Sequence, residues 1–352
     1  MAENNGKEIR LLMKNFFNKA YSWAIVFTIL LIGSFAFVML DTFVIPKSYQ
    51  PIVTKASAQS NTDTSSQTTA DNTSSDTSST DVTSTNAGTT DTTTTDTQTT
   101  DSSAAEAQSN AVITDNSYED SNIKISIDTV REYDSNVYIA DIQLTDASYL
   151  KTALAGNTYG RNIKAATSKI ASDNNAIFAI NGDFYGFRDY GYVLRNGVLY
   201  RDTAGSNDDL VIDNSGDFSI INESEVSANS LDLSSIWQIL SFGPTLIKDG
   251  QVVVDSNSEV SKAMTSNPRT AIGEISPLHY IIVVSDGRTQ ESAGLSLLDL
   301  AQIFVDKGCT TAYNLDGGGS STMYFNGKVI NVPTDGRSFG EREVSDIVYI
   351  GY

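Results

Sequence analysis

The chain is predicted to be an α+β protein: a strand-rich mixed-sheet domain with few helices, preceded by one transmembrane helix and a disordered stalk. Three observations predict this. Residues 21–40, YSWAIVFTILLIGSFAFVML, carry no charge. Residues 57–110 are almost wholly Ser, Thr, Asp, Asn, Gln and Ala, with no apolar period. From about residue 111 onward, short apolar runs bounded by Gly, Asn and Asp outnumber helical patterns.

Charge divides the 352 residues in the same places. Residues 1–55 carry a net +3, residues 56–110 a net −8, and the remainder −15, for a total of −20. Nucleic acid is not an expected partner, because phosphate-backbone binding needs a basic surface. A single cysteine, Cys309, excludes an internal disulfide.

Residues 1–20 form a basic, cytoplasmic N-terminus, with Lys7, Arg10, Lys14 and Lys19 ahead of the apolar run. Residues 21–45 form a transmembrane anchor, since about 20 apolar residues cross a bilayer core of roughly 30 Å. The positive-inside rule leaves the rest of the chain outside the cell. The expected location is therefore the cell membrane, single-pass, with the folded domain extracytoplasmic. The alternative is a cleaved signal peptide. An A-x-A pattern at Ala56 and Ala58 exists, but it lies well past the apolar run, with Asp41, Pro46 and Pro51 between. Residues 46–110 are the stalk, too polar to offset the entropy of ordering. It reads as a tether, with O-glycosylation of its Ser/Thr tracts an open question.

Residues 111–352 are the folded domain. Residues 122–130 and 136–144 alternate and are joined by a polar turn, as in an antiparallel hairpin. Residues 176–181 and 279–287 are continuous apolar runs, suited to strands buried on both faces. Residues 245–254 form a hairpin turning at Asp249-Gly250, and residues 324–330 one turning at Asn326-Gly327. Helices are expected over 159–174 and 297–306. The second has Ser296 as N-cap, Asp299 completing a capping box, and Gly308 past its end.

Several polar motifs terminate apolar strands, where a rigid scaffold meets a reachable loop. AINGDFYG carries Asn181 and Asp183, and NPRTAIG carries Arg269. VVSDGR carries Asp286, and GEREVSD carries Glu341 and Arg342. YNLDGGGSS carries Asp316, Gly317, Gly318, Gly319, Ser320 and Ser321. Consecutive glycines let a backbone approach a ligand with its N–H groups forward, an arrangement that suits an anion. It is neither a Walker loop nor GxGxxG. Each motif also has a plain reading. A triple glycine serves as a flexible turn, Asp beside Gly makes Asx turns, and surface charges pair with little effect. His279, the only histidine, leads an apolar strand, and Cys309 suits a small core position. No zinc-type His/Cys spacing or EF-hand loop occurs. No cofactor is expected, and the sequence leaves open whether a divalent metal assists.

The ordered set NGDFYG, GPTLIKDG, NPRTAIG, VVSDGR and NLDGGGSSTMYFNGKVIN resembles the phosphodiester glycosidase family, over roughly residue 176 to the C-terminus. Members include a lysosomal enzyme that removes N-acetylglucosamine from a phosphodiester, and bacterial exopolysaccharide-related proteins. The resemblance implies hydrolysis of the sugar C1–O bond in a sugar-1-phosphodiester of a cell-surface glycan or wall polymer. The matching positions are Asn181, Arg269, Asp286, Asp316, the 317–321 loop, Glu341 and Arg342. Asp183 departs from the pattern, since other members carry Gly or another small residue there. On this reading the loop amides and Arg269 hold the phosphate. Asp316 and Glu341 are the expected carboxylate pair, and Asn181 binds a sugar hydroxyl or the phosphate. Two rival readings use the same loops: a non-catalytic carbohydrate-binding or adhesion module, and a transferase of sugar or sugar phosphate.

Overall fold

Alternation dictates the largest element. In Ile123–Glu132, Ile123, Ile125 and Ile127 point inward while Lys124, Ser126 and Asp128 face out. Its partner Ser135–Leu144 pairs along its whole length, from Ile123 opposite Leu144 to Glu132 opposite Ser135. The fold is that of a computed structural model describing residues 21–52, 108, 110–255, 258, 266–336 and 338–352.

This hairpin sits within a nine-stranded sheet. The order runs Gln251–Val252, Thr245–Lys248, Thr311–Asn314, Thr270–Ser276, His279–Ser285, Ser135–Leu144, Ile123–Glu132, Ser117–Glu119 and Val112–Ile113. Every pairing in it is antiparallel. The two predicted tight hairpins form, with positive φ at Asp249, Gly250, Asn326 and Gly327.

His279–Ser285 is covered on both faces, as its continuous apolar run predicts. Tyr280, Ile282 and Val284 enter the main core, while Ile281 and Val283 meet the helix Leu297–Asp306. That helix has the expected capping box between Ser296 and Asp299, and Gly308 follows it at φ 80°. It buries Leu297, Leu300, Ala301, Ile303 and Phe304. Full burial of each large side chain stabilises the fold by about 1.5–3 kcal/mol.

Two further large sheets, each five-stranded, pack with the nine-stranded one, and two short two-stranded ladders accompany them. One five-stranded sheet is ordered Lys328–Val329, Met323–Phe325, Phe178–Asn181, Asp346–Ile350 and Leu150–Leu154. The other is ordered Val198–Arg201, Val193–Arg195, Ile236–Ser241, Asp208–Asp213 and Phe218–Asn222. All three large sheets feed one core, in which Ile282, Phe178 and Leu210 belong to the same cluster. The site lies where these sheets meet.

Two expectations need correction. The helix predicted over 159–174 forms only over Thr167–Asp173. Its first half is extended because Gly160–Arg161 pairs with Lys47–Ser48 and Ala165 bridges Val344. Residues 46–52, assigned to the disordered stalk, are docked on the domain through that same pairing. The rest of the stalk, apart from residues 108 and 110, and the basic residues 1–20 lie outside the described residues. The apolar helix itself spans Ser22–Phe43, is long and apolar enough to cross a membrane, and its most apolar 18-residue stretch is exposed among the described residues.

Candidate functional site

The strand Thr311–Asn314 delivers Asp316 to the floor of a pocket of about 700 Å³. Asn181, fully buried at the end of Phe178–Asn181, fixes this delivery. Its amide donates to the Asp316 carbonyl at 2.6 Å, and its side-chain oxygen accepts from Thr270 Oγ1 at 2.8 Å and the Thr322 amide. The Asp316 carboxylate accepts from the Gly317 amide at 2.9 Å. Although the residue keeps partial access to solvent, burial pushes its carboxyl up to about 6. The Ser320 hydroxyl, the charges of Arg342 and Arg188, and the Gly317 amide act in the opposite sense. A carboxyl in this range exchanges its proton near neutral pH, as general acid–base chemistry requires.

Four arginines surround it: Arg188, Arg269, Arg288 and Arg342 all line the pocket. Arg269 is buried, with Nε donating to the Leu295 carbonyl at 3.0 Å. Arg288 is fastened by Asn267, whose Oδ1 accepts from Nε and Nη2. Arg342 is paired with Asp335 at 2.6 Å. Arg188 stacks over Phe242, 5.0 Å from the ring centre, and over Phe184 at 5.5 Å. Asp208 also lines the pocket. Its oxygens accept from Asn222 Nδ2 at 2.9 Å and Thr245 Oγ1 at 3.1 Å.

The glycine loop works differently from the expectation. The Gly317 amide serves Asp316, the Gly318 amide donates to the Pro268 carbonyl at 2.8 Å, and those of Ser320 and Ser321 donate back to Gly317 and Gly318. These four N–H groups are committed within the protein and form no anion nest. Gly318 makes room for the Arg288 guanidinium, and Gly319 for the Asp335–Arg342 pair. A Cβ on Gly318 would stand 2.8 Å from Arg288 Nη2, and one on Gly319 would stand 2.8 Å from Arg342 Nη2.

Of the residues singled out in the sequence, Asp316, Arg269, Gly317, Gly318 and Arg342 meet in the main pocket. Asp183, Asp316, Ser320 and Arg342 line an adjoining cavity of about 290 Å³. Asp183 is buried and holds Arg195 at 2.6 Å, and the same guanidinium reaches Asp346 at 2.9 Å. Burial first, and then the Asp183 charge, push the Asp346 carboxyl well up, against the pull of Arg195. Asp286 is buried, accepting from Tyr138 Oη and the Val332 amide. Ser321 is buried within the loop.

Glu341 is not brought to Asp316. Its carboxylate accepts from the Ser168 amide at 2.8 Å and from the Ser168 hydroxyl. That places it at the N-terminus of Thr167–Asp173, where unpaired amides favour an anion. Arg188, Arg288 and Asp208 were missed. Arg288 stands in VVSDGR and Arg188 just past NGDFYG, so proximity to a strand-end motif was the available signal. Among the described residues no group of three or more His, Cys, Asp and Glu side chains is arranged to hold a metal.

Comparison with known proteins agrees with this architecture. The chain is 31% identical over 202 residues to the SPbeta prophage-derived uncharacterized protein YomE of Bacillus subtilis, covering 55% of this chain and 31% of that protein. It is 30% identical over 110 residues to the mouse N-acetylglucosamine-1-phosphodiester alpha-N-acetylglucosaminidase, covering 28% of this chain and 21% of the enzyme. The matched region thus spans less than a third of either relative's length. The solved catalytic domain of the zebrafish enzyme, auto-inhibited by its pro-peptide, superposes with a TM-score of 0.53 at 20% identity, covering 65% of this chain and 83% of that one. This likeness shows a shared fold. The phosphodiester glycosidase profile matches residues 174–351, from just before the strand that carries Asn181 to the last strand, and the chain belongs to that family.

Proposed function

We propose that this protein is a membrane-anchored, extracytoplasmic hydrolase that cleaves the sugar C1–O bond of a sugar-1-phosphodiester in a cell-surface glycan or wall polymer. One observation carries the reading: Asp316, a carboxyl that burial pushes up to about 6, shares one pocket with Arg188, Arg269, Arg288 and Arg342. Glycosyl cleavage passes through an oxocarbenium-like state. A phosphodiester leaves as a weakly basic anion, so it needs charge stabilisation more than a proton. Arg188, Arg269, Arg288 and Arg342 supply that charge in a partly enclosed site, where it acts more strongly than in water. Ionised Asp316 takes a proton from the attacking water, and Asp208, kept in place by Asn222 and Thr245, steadies the developing sugar cation.

The test is release of reducing sugar from a sugar-1-phosphodiester. Asp316→Asn abolishes release while the melting temperature stays near that of the parent. Retention of intact ligand by the parent protein would instead favour a binding module, and product only in the presence of an acceptor would favour a transferase.

A further inference from the structure

We infer that residues 45–52 are a strap that seats the domain directly on the end of the apolar helix, so that the site works on phosphodiesters presented at the bilayer surface. This rests on the function and membrane placement proposed above. Lys47 and Ser48 pair antiparallel with Arg161 and Gly160. The Tyr49 amide donates to the Tyr159 carbonyl at 2.9 Å, and the Ile52 amide to the Leu199 carbonyl at 2.8 Å. Asn162 is buried at φ 58° and donates its side-chain amide to the carbonyls of Thr42 at 3.1 Å and Ile45 at 3.2 Å. Carbonyls at a helix C-terminus lack intrahelical partners. The domain therefore caps the apolar helix with one of its own side chains.

Gly160 is fitted to the strap. A Cβ there would overlap the Lys47 carbonyl and crowd Ile163. A loosely tethered domain would have no such requirement. The strap also lies close to the proposed chemistry. Tyr49 and Ile52 wall a cavity of about 270 Å³ whose lining includes Arg188, and Arg188 lines the Asp316 pocket too. Residue 110 leads into the edge strand Val112–Ile113 of the same domain. Residues 45–52 and residue 110 onward are thus held by one and the same domain.

The test uses the full chain in vesicles. Tyr190→Cys offers an exposed labelling site near the strap, whereas Cys309 is buried with its thiol pushed up to about 12 and stays unlabelled. Energy transfer from that label to headgroup acceptors should be efficient. It should fall at least twofold when residues 46–52 are replaced by Gly and Ser, and likewise in Gly160→Val. Low transfer in the parent, or equal transfer in parent and Gly/Ser variant, overturns the seat. In the same vesicles, a sugar-1-phosphodiester borne on a lipid and one borne on an adsorbed polymer are each compared with the free ester. Preference for either membrane-bound form supports the inference and names its source, and no preference overturns it. Should none of the three esters be cleaved while transfer behaves as expected, the proposed activity falls and the seat stands.

Discussion

The guanidinium of Arg288 stands against Gly318: a Cβ there would sit 2.8 Å from Nη2, so one of the two must move. Gly318 also holds φ 64°, a region L-residues adopt only at a cost of about 1 kcal/mol. Gly318→Ala should therefore displace Arg288 more than it unfolds the protein. The expected result is a 10–100-fold fall in kcat/KM on a sugar-1-phosphodiester, mostly in KM, with a Tm loss of a few degrees. Parent-like kinetics would show that Arg288 does not bind the phosphate.

This loop marks where the sequence was legible and where it was not. The run NLDGGGSS located the site because a carboxylate and glycines at a strand end have few other uses together. What the glycines contact could not be read, since Arg288 and Arg342 approach them from distant segments. The same limit hid Glu341. Local sequence presents it as a loop carboxylate, and only the tertiary fold sets it against Ser168. Capping box, hairpin turns and the two-faced strand His279–Ser285 were readable because each is fixed within a dozen residues. The sheet built from Val193–Arg195, Val198–Arg201, Asp208–Asp213, Phe218–Asn222 and Ile236–Ser241 was not foreseen, its strands being short and separated by polar loops.

Burial pushes the Asp316 carboxyl up to about 6, and the proposed reaction should follow its titration. If the ionised form accepts the proton of water, kcat/KM should be level above pH 7 and fall tenfold per unit below about pH 6. Residual activity of Asp316→Asn should lack this inflection. A profile that declines toward alkaline pH from a midpoint near 6 would make Asp316 the acid.

Asp209, next to Asp208 but turned inward, gives a separate test on stability. It is fully buried, and burial first, then the neighbouring Glu223, push its carboxyl up to about 9. The folded protein keeps this proton between the ordinary carboxyl range and pH 9, whereas the unfolded chain releases it. Stability from this group therefore declines as pH rises through that window. Asp209→Asn removes the titration while resembling the protonated side chain. Its Tm relative to the parent should rise between pH 5 and pH 8. A constant difference across that range would show that Asp209 is ionised in the fold.

Asp208 and Glu341 separate by location. Asp208 lines the pocket, held by Asn222 and Thr245, whereas Glu341 caps the helix Thr167–Asp173. Loss of a helix cap costs about 1 kcal/mol. Glu341→Gln should thus lower the Tm by a few degrees and leave kcat within about threefold. Asp208→Asn keeps the shape and much of the hydrogen bonding but removes the charge that, in the proposed reaction, would steady a sugar cation. It should lower kcat about 100-fold, on the scale of one lost electrostatic contact in a transition state, with Tm nearly unchanged. The reverse pattern, an active Asp208→Asn and an inactive but folded Glu341→Gln, would move the second carboxylate to Glu341 and require Thr167–Asp173 to shift when substrate binds.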